Sequence, residues 1–256
     1  MTRKCFFIDR IDPREDYVIL NDRSAHHMES VLRMGDGDSV ELRDGAGNAW
    51  RGVLAGREGG GIRIRLGEKR HVRNESPLNL TLALAFARSD RMELVLRQAT
   101  EIGVHRLIAF RAQRSQYGLS GAQAAKKRER WEKIAREALC QCGRMRLPEI
   151  HLLSDVPEFI SQVMKSEGHD EGCGLRIVAW EEERRQNLLG LWRSFPECSE
   201  LLVVVGPEGG WTPGEVEQFE RAGFHSVRLG TRTLRFETAA LALVTSAQLL
   251  WGDLGQ

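Results

Sequence analysis

The spacing of hydrophobic and polar positions divides the chain into two parts, and the first part predicts short strands. In Ile62–Leu66 apolar and charged residues alternate with a period of two, as they do on a half-buried strand. The turn residues Asp44–Gly47 separate two further apolar runs and predict a hairpin. Residues 1–70 are therefore predicted to form a small β-rich domain, with strands at Ser39–Arg43, Ala49–Leu54 and Ile62–Leu66 and a helix at His26–Arg33.

The pattern changes after segment 70–78, which is polar, contains a proline and predicts a linker. Leu80–Phe86 is a continuous apolar run that predicts a buried strand, and the helix after it has Asp90 as its predicted cap. Strands and helices then alternate, which predicts an α/β domain with a parallel sheet covered on both faces. The later strands are predicted at 106–110, 150–153, 175–180, 201–205 and 226–229, and the helices at 123–142, 156–165, 186–192, 213–222 and 236–251.

Composition is that of an ordinary globular protein, with 41% hydrophobic and 29% charged residues. No stretch approaches the roughly 20 apolar residues that span a bilayer, and the first residues lack the apolar run of a signal peptide. We therefore expect a soluble, cytoplasmic protein. Five cysteines at irregular spacing argue against a disulfide framework, and we expect no structural metal because no Cys/His cluster completes a zinc site.

Charge is distributed unevenly, although the whole chain carries only +1. Residues 1–76 hold 14 Lys and Arg against 13 Asp and Glu, residues 77–150 hold 14 against 7, and residues 151–256 hold 9 against 16. A basic middle segment suits a polyanion such as RNA, because each phosphate contact releases counterions. The alternative is a solvated helix face, and the charge pattern alone leaves both interpretations open.

A glycine-rich loop after the strand at 201–205 is the sharpest candidate for a ligand site. Its glycines let the backbone approach a ligand closely, and ligands in open α/β sheets bind beyond the carboxyl ends of strands. Thr212 and Glu215 predict a capping box at the start of the next helix. These features exceed what a tight turn between a strand and a helix needs. The loop reads Gly206-Pro207-Glu208-Gly209-Gly210.

The segment Val227–Leu241 repeats the order of strand, polar loop and helix. Arg235 stands just before the helix, in a place to meet a substrate anion. Alternatively, Arg235 and Glu237 form a surface salt bridge. Small residues of this helix, among them Ala239 and Ala240, favour close helix packing or a contact between two copies of the chain.

Two common nucleotide-binding signatures are absent from the sequence. There is no G-x-x-x-x-G-K-[ST] phosphate-binding loop. The strand Leu80–Phe86 leads into Ala87-Arg88-Ser89-Asp90 instead of G-x-G-x-x-G, so neither the dinucleotide fold nor the common Rossmann-like methyltransferase entry fits. A different α/β enzyme that binds a phosphate ligand at the late glycine loop stays open.

Both loop segments resemble those of the knotted SPOUT methyltransferases, and specifically the family that methylates N3 of a uridine in 16S ribosomal RNA. The resemblance covers nearly the whole chain. Arg88 departs from the lysine that the family commonly has, which keeps the charge but changes the hydrogen-bond geometry. Leu139–Gly143 departs from the family's Glu-Gln-Ser-like run. The similar segments are Arg3–Phe7, His27–Asp38, Asp90–Val104, Arg114-Ser115, Arg130–Ala138, Gly206–Glu215 and Leu229–Ala239.

The resemblance implies an α/β fold that combines a SPOUT-type parallel sheet, a C-terminal trefoil knot and a small N-terminal PUA-like β-barrel. It places an RNA-binding PUA-like domain at residues 1–72 and the methyltransferase domain, with its knot, at residues 73–256. It also implies a homodimer that works without a metal or a membrane.

The activity implied is methyl transfer from S-adenosyl-L-methionine to N3 of one uridine, the family target uridine 1498, in 16S rRNA of the small ribosomal subunit. Arg235, together with Arg88, is expected to stabilise the uracil anion as its proton leaves. The cofactor residues implied are Val205, Gly206, Pro207, Glu208, Gly209, Gly210, Leu229, Gly230, Leu234, Arg235, Glu237, Thr238 and Ala239. The candidate RNA contacts are Arg3, Arg10, Arg33, Lys126, Lys127, Arg128 and Arg130.

Two further functions are open at this point. The same fold can act on another RNA, such as transfer RNA. A non-catalytic ribosomal RNA-binding module would explain the β-rich domain and the basic stretch, but it would not explain the two loop–helix segments.

Overall fold

Strand β5 (Gly61–Arg70) shows why the first part of the chain forms a sheet. Ile62 and Ile64 are buried while Arg63 and Arg65 are exposed, so the period-two alternation of the sequence becomes a two-sided strand. The structure is a computed structural model, and it describes residues 4–8, 11–12, 15–20, 22–70, 72, 74–118, 121–165 and 174–255.

The N-terminal sheet has five strands in the order β1-β3-β4-β5-β2. Neighbouring strands pair antiparallel, except that β1 runs parallel to β3. The predicted hairpin is confirmed, since β3 and β4 pair antiparallel across the turn. The other elements here are β1 (Cys5–Phe7), β2 (Tyr17–Leu20), α1 (Asp22–His26), a π-helical turn (His27–Val31), β3 (Ser39–Arg43) and β4 (Ala49–Glu58).

A buried arginine fastens a distant segment to this sheet. The Arg43 side chain is only 2% exposed, and its guanidinium donates to the carbonyls of Leu139 and Arg144, each at 3.0 Å. Glu41 pairs with the same guanidinium. Residues 136–147 accordingly belong to the same compact unit as residues 1–75.

Glu75 makes a second anchor in that unit. Its carboxylate pairs with the Arg144 guanidinium at 2.8 Å and accepts the backbone N–H groups of Met145 and Arg146. Burial works to raise the pKa of Glu75, but Arg144 and the two N–H donors outweigh it, so the pKa lies below its ordinary value. Residues 72 and 74–78 of the predicted linker form neither a helix nor a strand, but Glu75 is firmly held.

The second compact unit comprises residues 76–135 and 148–256 and is built on a six-stranded sheet in the order β11-β9-β10-β6-β7-β8. Every neighbouring pair is parallel, which confirms the predicted parallel sheet. Its strands are β6 (Asn79–Ala85), β7 (Arg106–Arg111), β8 (Glu149–Asp155), β9 (Gly174–Ala179), β10 (Glu200–Val205) and β11 (His225–Val227). Its helices are α2 (Ser89–Ile102), α4 (Val156–Lys165), α5 (Leu188–Ser194), α6 (Pro213–Arg221) and α7 (Phe236–Leu250), together with residues 121–135 of α3 (Gly121–Cys142), whose last turns belong to the first unit.

Aromatic residues fill the core under β6 and β7. Phe110 stacks on Phe159 of α4 with ring centroids 4.6 Å apart, and Trp211 and Phe219 extend the same cluster toward α6. Helix α7 packs on β6 and β10 and against α2. Because β10 pairs along one edge with β6 and along the other with β9, the loop that follows this strand rests on a rigid base.

The predicted cap of α2 is wrong. The helix begins at Ser89 with Arg88 in the N-cap position, and Asp90 lies inside the first turn. The Asp90 carboxylate accepts a hydrogen bond from the Arg88 guanidinium, with Nε and Oδ1 2.7 Å apart. A carboxylate in the first turn still favours the positive end of the helix dipole.

The predicted functional domains, 1–72 and 73–256, remain a proposal, because the division into compact units does not say which function each segment carries. Cys5, Cys140, Cys142 and Cys198 are free thiols, and Cys173 lies outside the described residues. Within the described part of the chain, no helix is both long and apolar enough to cross a membrane.

Candidate active site

Three loops meet at the carboxyl edge of the parallel sheet. They follow β9, β10 and β11, and β10 lies between β9 and β6 in the sheet. Along the chain, β7 and β8 follow β6 on one side of the sheet. The next strand, β9, lies on the other side of β6, and β10 is placed between β9 and β6. Such a change of direction leaves a crevice beyond the strand ends, which is where open α/β sheets bind ligands.

The glycine loop after β10 is shaped by the Trp211 ring. Trp211 is 3% exposed, and its indole N–H donates to the Ala179 carbonyl at 3.0 Å. A Cβ atom at Gly206 would come within 2.9 Å of that ring, so glycine is needed for the ring to lie against the loop.

A buried carboxylate ties the end of this loop to the loop after β7. Glu215 is 1% exposed and accepts the backbone N–H groups of Gln113, at 2.8 Å, and Thr212, at 2.9 Å. The Thr212 side chain accepts the Glu215 N–H in return, so the predicted capping box is confirmed. Arg114 adds two bonds, because its guanidinium donates to the carbonyls of Gly209 and Trp211, each at 3.2 Å.

The loop after β11 occupies residues 228–235 and ends where α7 begins. Gly230 has a φ of 86°, a left-handed conformation that favours glycine. The Arg228 guanidinium donates to the Thr231 carbonyl at 3.2 Å and closes the loop on itself. Arg235 occupies the N-cap of α7 and is exposed, with no ion-pair partner among the described residues.

These loops enclose a pocket of about 360 Å³, a volume typical of a small-molecule site. The loop after β9 supplies one wall through Trp180 and Glu181, and α2 supplies Arg91. Ten of the cofactor residues predicted from the resemblance line it: Val205, Gly206, Pro207, Glu208, Gly210, Leu229, Gly230, Leu234, Arg235 and Ala239.

Three other residues of that set lie elsewhere. Gly209 is next to the pocket and packs against the Arg114 side chain. Glu237 and Thr238 face a second, shallower groove on α7. Their cofactor roles stay predictions.

Arg91 is a pocket residue that the sequence reasoning missed. Its guanidinium lies 3.6 Å from the Glu208 carboxylate and 3.8 Å from that of Glu237, so it joins the glycine loop to α7. Glu237 therefore lies near Arg91, and the structure shows no salt bridge between Arg235 and Glu237. The sequence pattern around Arg91 did not indicate a pocket residue, because only the folded structure brings helix α2 beside the two loops.

Arg88 lies beside the pocket without lining it. Its backbone N–H donates to Glu208 at 3.3 Å, while its exposed guanidinium pairs with Asp90. The hydrogen bond from Arg88 lowers the pKa of Asp90 to about 2, and the same bond raises the pKa of Arg88. A catalytic role for this side chain requires it to leave Asp90, and that role stays a prediction.

The candidate RNA contacts have different surroundings. Arg3 and Arg10 lie outside the described residues, and Arg33 is exposed. On α3, Lys127 is half-buried over the rings of Phe86 and Trp131, at 5.5 and 5.3 Å. Arg128 pairs with Glu132 and Arg130 with Glu93, while Lys126 is exposed and unpaired among the described side chains.

Comparison with known proteins settles the family. Residues 74–248 match the RNA methyltransferase domain family, and residues 20–67 match the RNA methyltransferase PUA domain family. The ribosomal RNA small subunit methyltransferase E of Bacillus subtilis is 34% identical over 236 residues, which cover 89% of this chain and 90% of that protein. The chain belongs to the ribosomal RNA small subunit methyltransferase E family. The family resemblance of the two loop segments is thus confirmed.

Other members of the family agree over almost the full length. The Mycobacterium bovis enzyme is 28% identical over 98% of this chain and 93% of its own. The Neisseria gonorrhoeae enzyme, solved bound to S-adenosyl methionine, has a TM-score of 0.84 at 30% identity and covers 98% of this chain and 99% of its own. A Legionella pneumophila protein, solved with bound SAM, has a TM-score of 0.86 at 25% identity and covers 99% and 100%.

Metal ligands are not grouped in the region that the structure describes, where no three His, Cys, Asp or Glu side chains are placed to hold one ion.

Proposed function

We propose that this protein transfers a methyl group from S-adenosyl-L-methionine to N3 of a uridine in 16S ribosomal RNA. One observation carries the proposal: the two segments that resemble the family, which are separate in sequence, line a single pocket at the carboxyl edge of the sheet. Membership of the family gives the RNA methyltransferase class, and the name of the family supports the small ribosomal subunit as the source of the substrate.

The pocket residues fit an adenosyl cofactor. Leu229 and Leu234 offer apolar surface for the adenine, and the backbone of both loops supplies hydrogen-bonding groups near it. A Cβ atom at Gly210 would lie 2.5 Å from Glu181 Oε1, so this glycine also keeps space open at the pocket wall. A cofactor held mainly by backbone requires rigid loops, and Glu215 and Arg114 supply that rigidity.

When bound, the cofactor supplies a methyl carbon activated by a positive sulfonium. The protein has to orient the uracil for in-line attack, and orientation of this kind supplies much of the acceleration. It also has to stabilise the negative charge that develops as N3 loses its proton. We assign that role to Arg235, which lines the pocket, is unpaired among the described residues and stands at the positive end of α7.

The RNA is expected to present an unstacked uridine, since a paired base cannot enter the pocket. Lys126, Arg33 and the other predicted basic residues would then contact phosphates, which sets affinity and salt dependence more than base choice. A PUA-like barrel domain at residues 1–72 would supply RNA contacts of its own.

The trefoil knot and the homodimer are part of the same proposal. Strand β10 is inserted between β9 and β6, an order consistent with a chain that passes through its own earlier loops. Leu249 of α7 is 57% exposed, and the groove on the outer side of this helix includes Leu241 and Ala242. The groove is also lined by Glu237 and by the hydroxyls of Thr238, Thr245 and Ser246, and a face of such short side chains with exposed leucine at its end suits a second copy of the helix.

The test is methyl transfer in vitro. Purified protein is mixed with methyl-labelled S-adenosyl-L-methionine and with small ribosomal subunits that lack their native modifications, and the label is mapped by mass. Label on one uridine of 16S rRNA supports the proposal. Label on transfer RNA, offered in parallel, would keep the chemistry and overturn the substrate. Absence of label from every RNA, with no binding of S-adenosylhomocysteine, would favour a non-catalytic RNA-binding module.

A further inference from the structure

The pocket carries an excess of positive charge. Four arginines and two glutamates line it, which leaves two positive charges in excess. This suits an RNA phosphate and the carboxylate of the cofactor, but it opposes the two cationic groups of the cofactor, the sulfonium and the ammonium. The charged residues of the lining are Arg91, Arg228, Arg232, Arg235, Glu181 and Glu208.

The two glutamates differ in what they already contact. Glu208 accepts the Arg88 N–H and lies 3.6 Å from the Arg91 guanidinium, so its charge is largely matched. The Glu181 carboxylate has no hydrogen bond or ion pair with any described side chain or backbone group. Glu181 is therefore the acidic group of the lining whose charge is still available to a ligand.

The backbone around Glu181 is fixed. The Trp180 N–H donates to the Val227 carbonyl at 2.9 Å. A few residues on, Glu183 Oε1 accepts the backbone N–H groups of Arg184 and Arg185, and Ser226 donates its hydroxyl to Glu183 Oε2 at 2.6 Å. The bond from Ser226 is the main cause that holds the pKa of Glu183 below its ordinary value. The Glu183 carboxylate thus stabilises the turn, and this turn holds the backbone of Glu181 in the pocket wall.

Gly210 allows the carboxylate to lie directly against the glycine loop. It has a φ of 70°, and a Cβ atom there would be 2.5 Å from Glu181 Oε1. The absence of a side chain at this position therefore serves the placement of Glu181 as well as the backbone conformation.

We infer that the Glu181 carboxylate is the counter-charge for a cationic group of the cofactor, and that it allows a pocket rich in arginine to accept a positively charged methyl donor. This inference rests on the proposed function. The cationic group is either the sulfonium, which only the methyl donor carries, or the ammonium, which S-adenosylhomocysteine carries as well.

The test is a set of calorimetric titrations of wild-type protein and the Glu181→Gln variant with three ligands. S-adenosyl-L-methionine carries both cationic groups, S-adenosylhomocysteine only the ammonium, and 5′-methylthioadenosine neither. Loss of one charge-assisted contact is expected to weaken S-adenosyl-L-methionine binding about tenfold and to leave 5′-methylthioadenosine within about twofold. Glu182→Gln is the matched control, since Glu182 is exposed like Glu181 but lies outside the pocket lining, and its substitution should change none of the three affinities.

The three ligands separate the outcomes. Weaker binding of S-adenosyl-L-methionine alone assigns the sulfonium, and weaker binding of both charged ligands assigns the ammonium. An equal loss for all three, including the neutral one, would contradict the inference and indicate a role in shape or in ribose binding. Unchanged affinities would also overturn it. If the wild-type protein binds none of the three, the proposed function itself fails.

Discussion

Arg235 is the side chain that we propose for catalysis, because it differs from Arg88 and Arg91 in what it contacts. Arg88 pairs with Asp90, and Arg91 lies between Glu208 and Glu237, so both guanidiniums are committed within the protein. Arg235 stands at the N-cap of α7 with no such partner among the described residues. A cation of this kind can stabilise a developing anion without first breaking an existing bond.

Replacing Arg235 by alanine is therefore expected to lower kcat by about 100-fold, in the range seen when one stabilising donor of an oxyanion is removed. The affinity for S-adenosyl-L-methionine should stay within about twofold, because the role concerns the uracil. Methyl-transfer kinetics and calorimetry measure the two quantities. Arg235→Lys should recover part of the rate, since it keeps the charge and loses the forked geometry. A loss of cofactor affinity as large as the loss of kcat would contradict the assignment.

At the scale of elements, the start of α6 holds the glycine loop in place. Glu215 is buried and receives N–H groups from two loops, so its two oxygens both accept. The loops after β7 and β10 are thereby fixed to each other. A rigid loop of this kind is what backbone recognition of a cofactor requires.

Glu215→Gln turns one of these acceptors into a donor that faces N–H groups. We expect the free energy of unfolding to fall by about 2 kcal/mol, the cost of a buried polar group without a partner. Chemical denaturation measures it. The control is Glu217→Gln on the same helix, where the exposed pair with Arg221 should contribute no more than about 0.5 kcal/mol. Equal losses in the two variants would show that Glu215 does not anchor the loop.

The same elements show how far the sequence predicts the fold. The capping box at Thr212 follows from local residue chemistry, and it is present in the structure. The cap at Asp90 failed because an adjacent arginine competes for the carboxylate, an effect that helix-start patterns do not contain. The sequence did not indicate Arg91 and Glu181 as pocket residues, for another reason. Both line the pocket because of the order of the strands in the sheet, and local spacing in the sequence does not determine that order.

In the whole molecule, the outer face of helix α7 is a surface that stays exposed to solvent. Leu249 is 57% exposed near the end of α7, whereas the pocket residues lie at the start of the same helix. Exposed leucines scattered singly are common, but Leu241 and Ala242 extend this face along the helix. Pairing of two copies along α7 would cover it.

Leu249→Arg is expected to convert the proposed dimer into a monomer, because it would place a charge in the proposed contact. Sedimentation velocity measures the change. Leu189→Arg is the matched control, since Leu189 is 46% exposed on α5 and its substitution should leave the dimer intact. A wild-type protein that sediments as a monomer, or a Leu249→Arg variant that remains a dimer, would contradict this use of the face.

We propose that the pocket formed by the loops after β9, β10 and β11 binds the methyl donor. The decisive experiment is a calorimetric titration of the wild-type protein with S-adenosylhomocysteine, with and without excess ATP. We expect saturable binding at about one site per chain that ATP does not displace, since no phosphate-binding loop is present in the sequence. No binding of S-adenosylhomocysteine, together with saturable binding of ATP, would show that the pocket serves a different ligand.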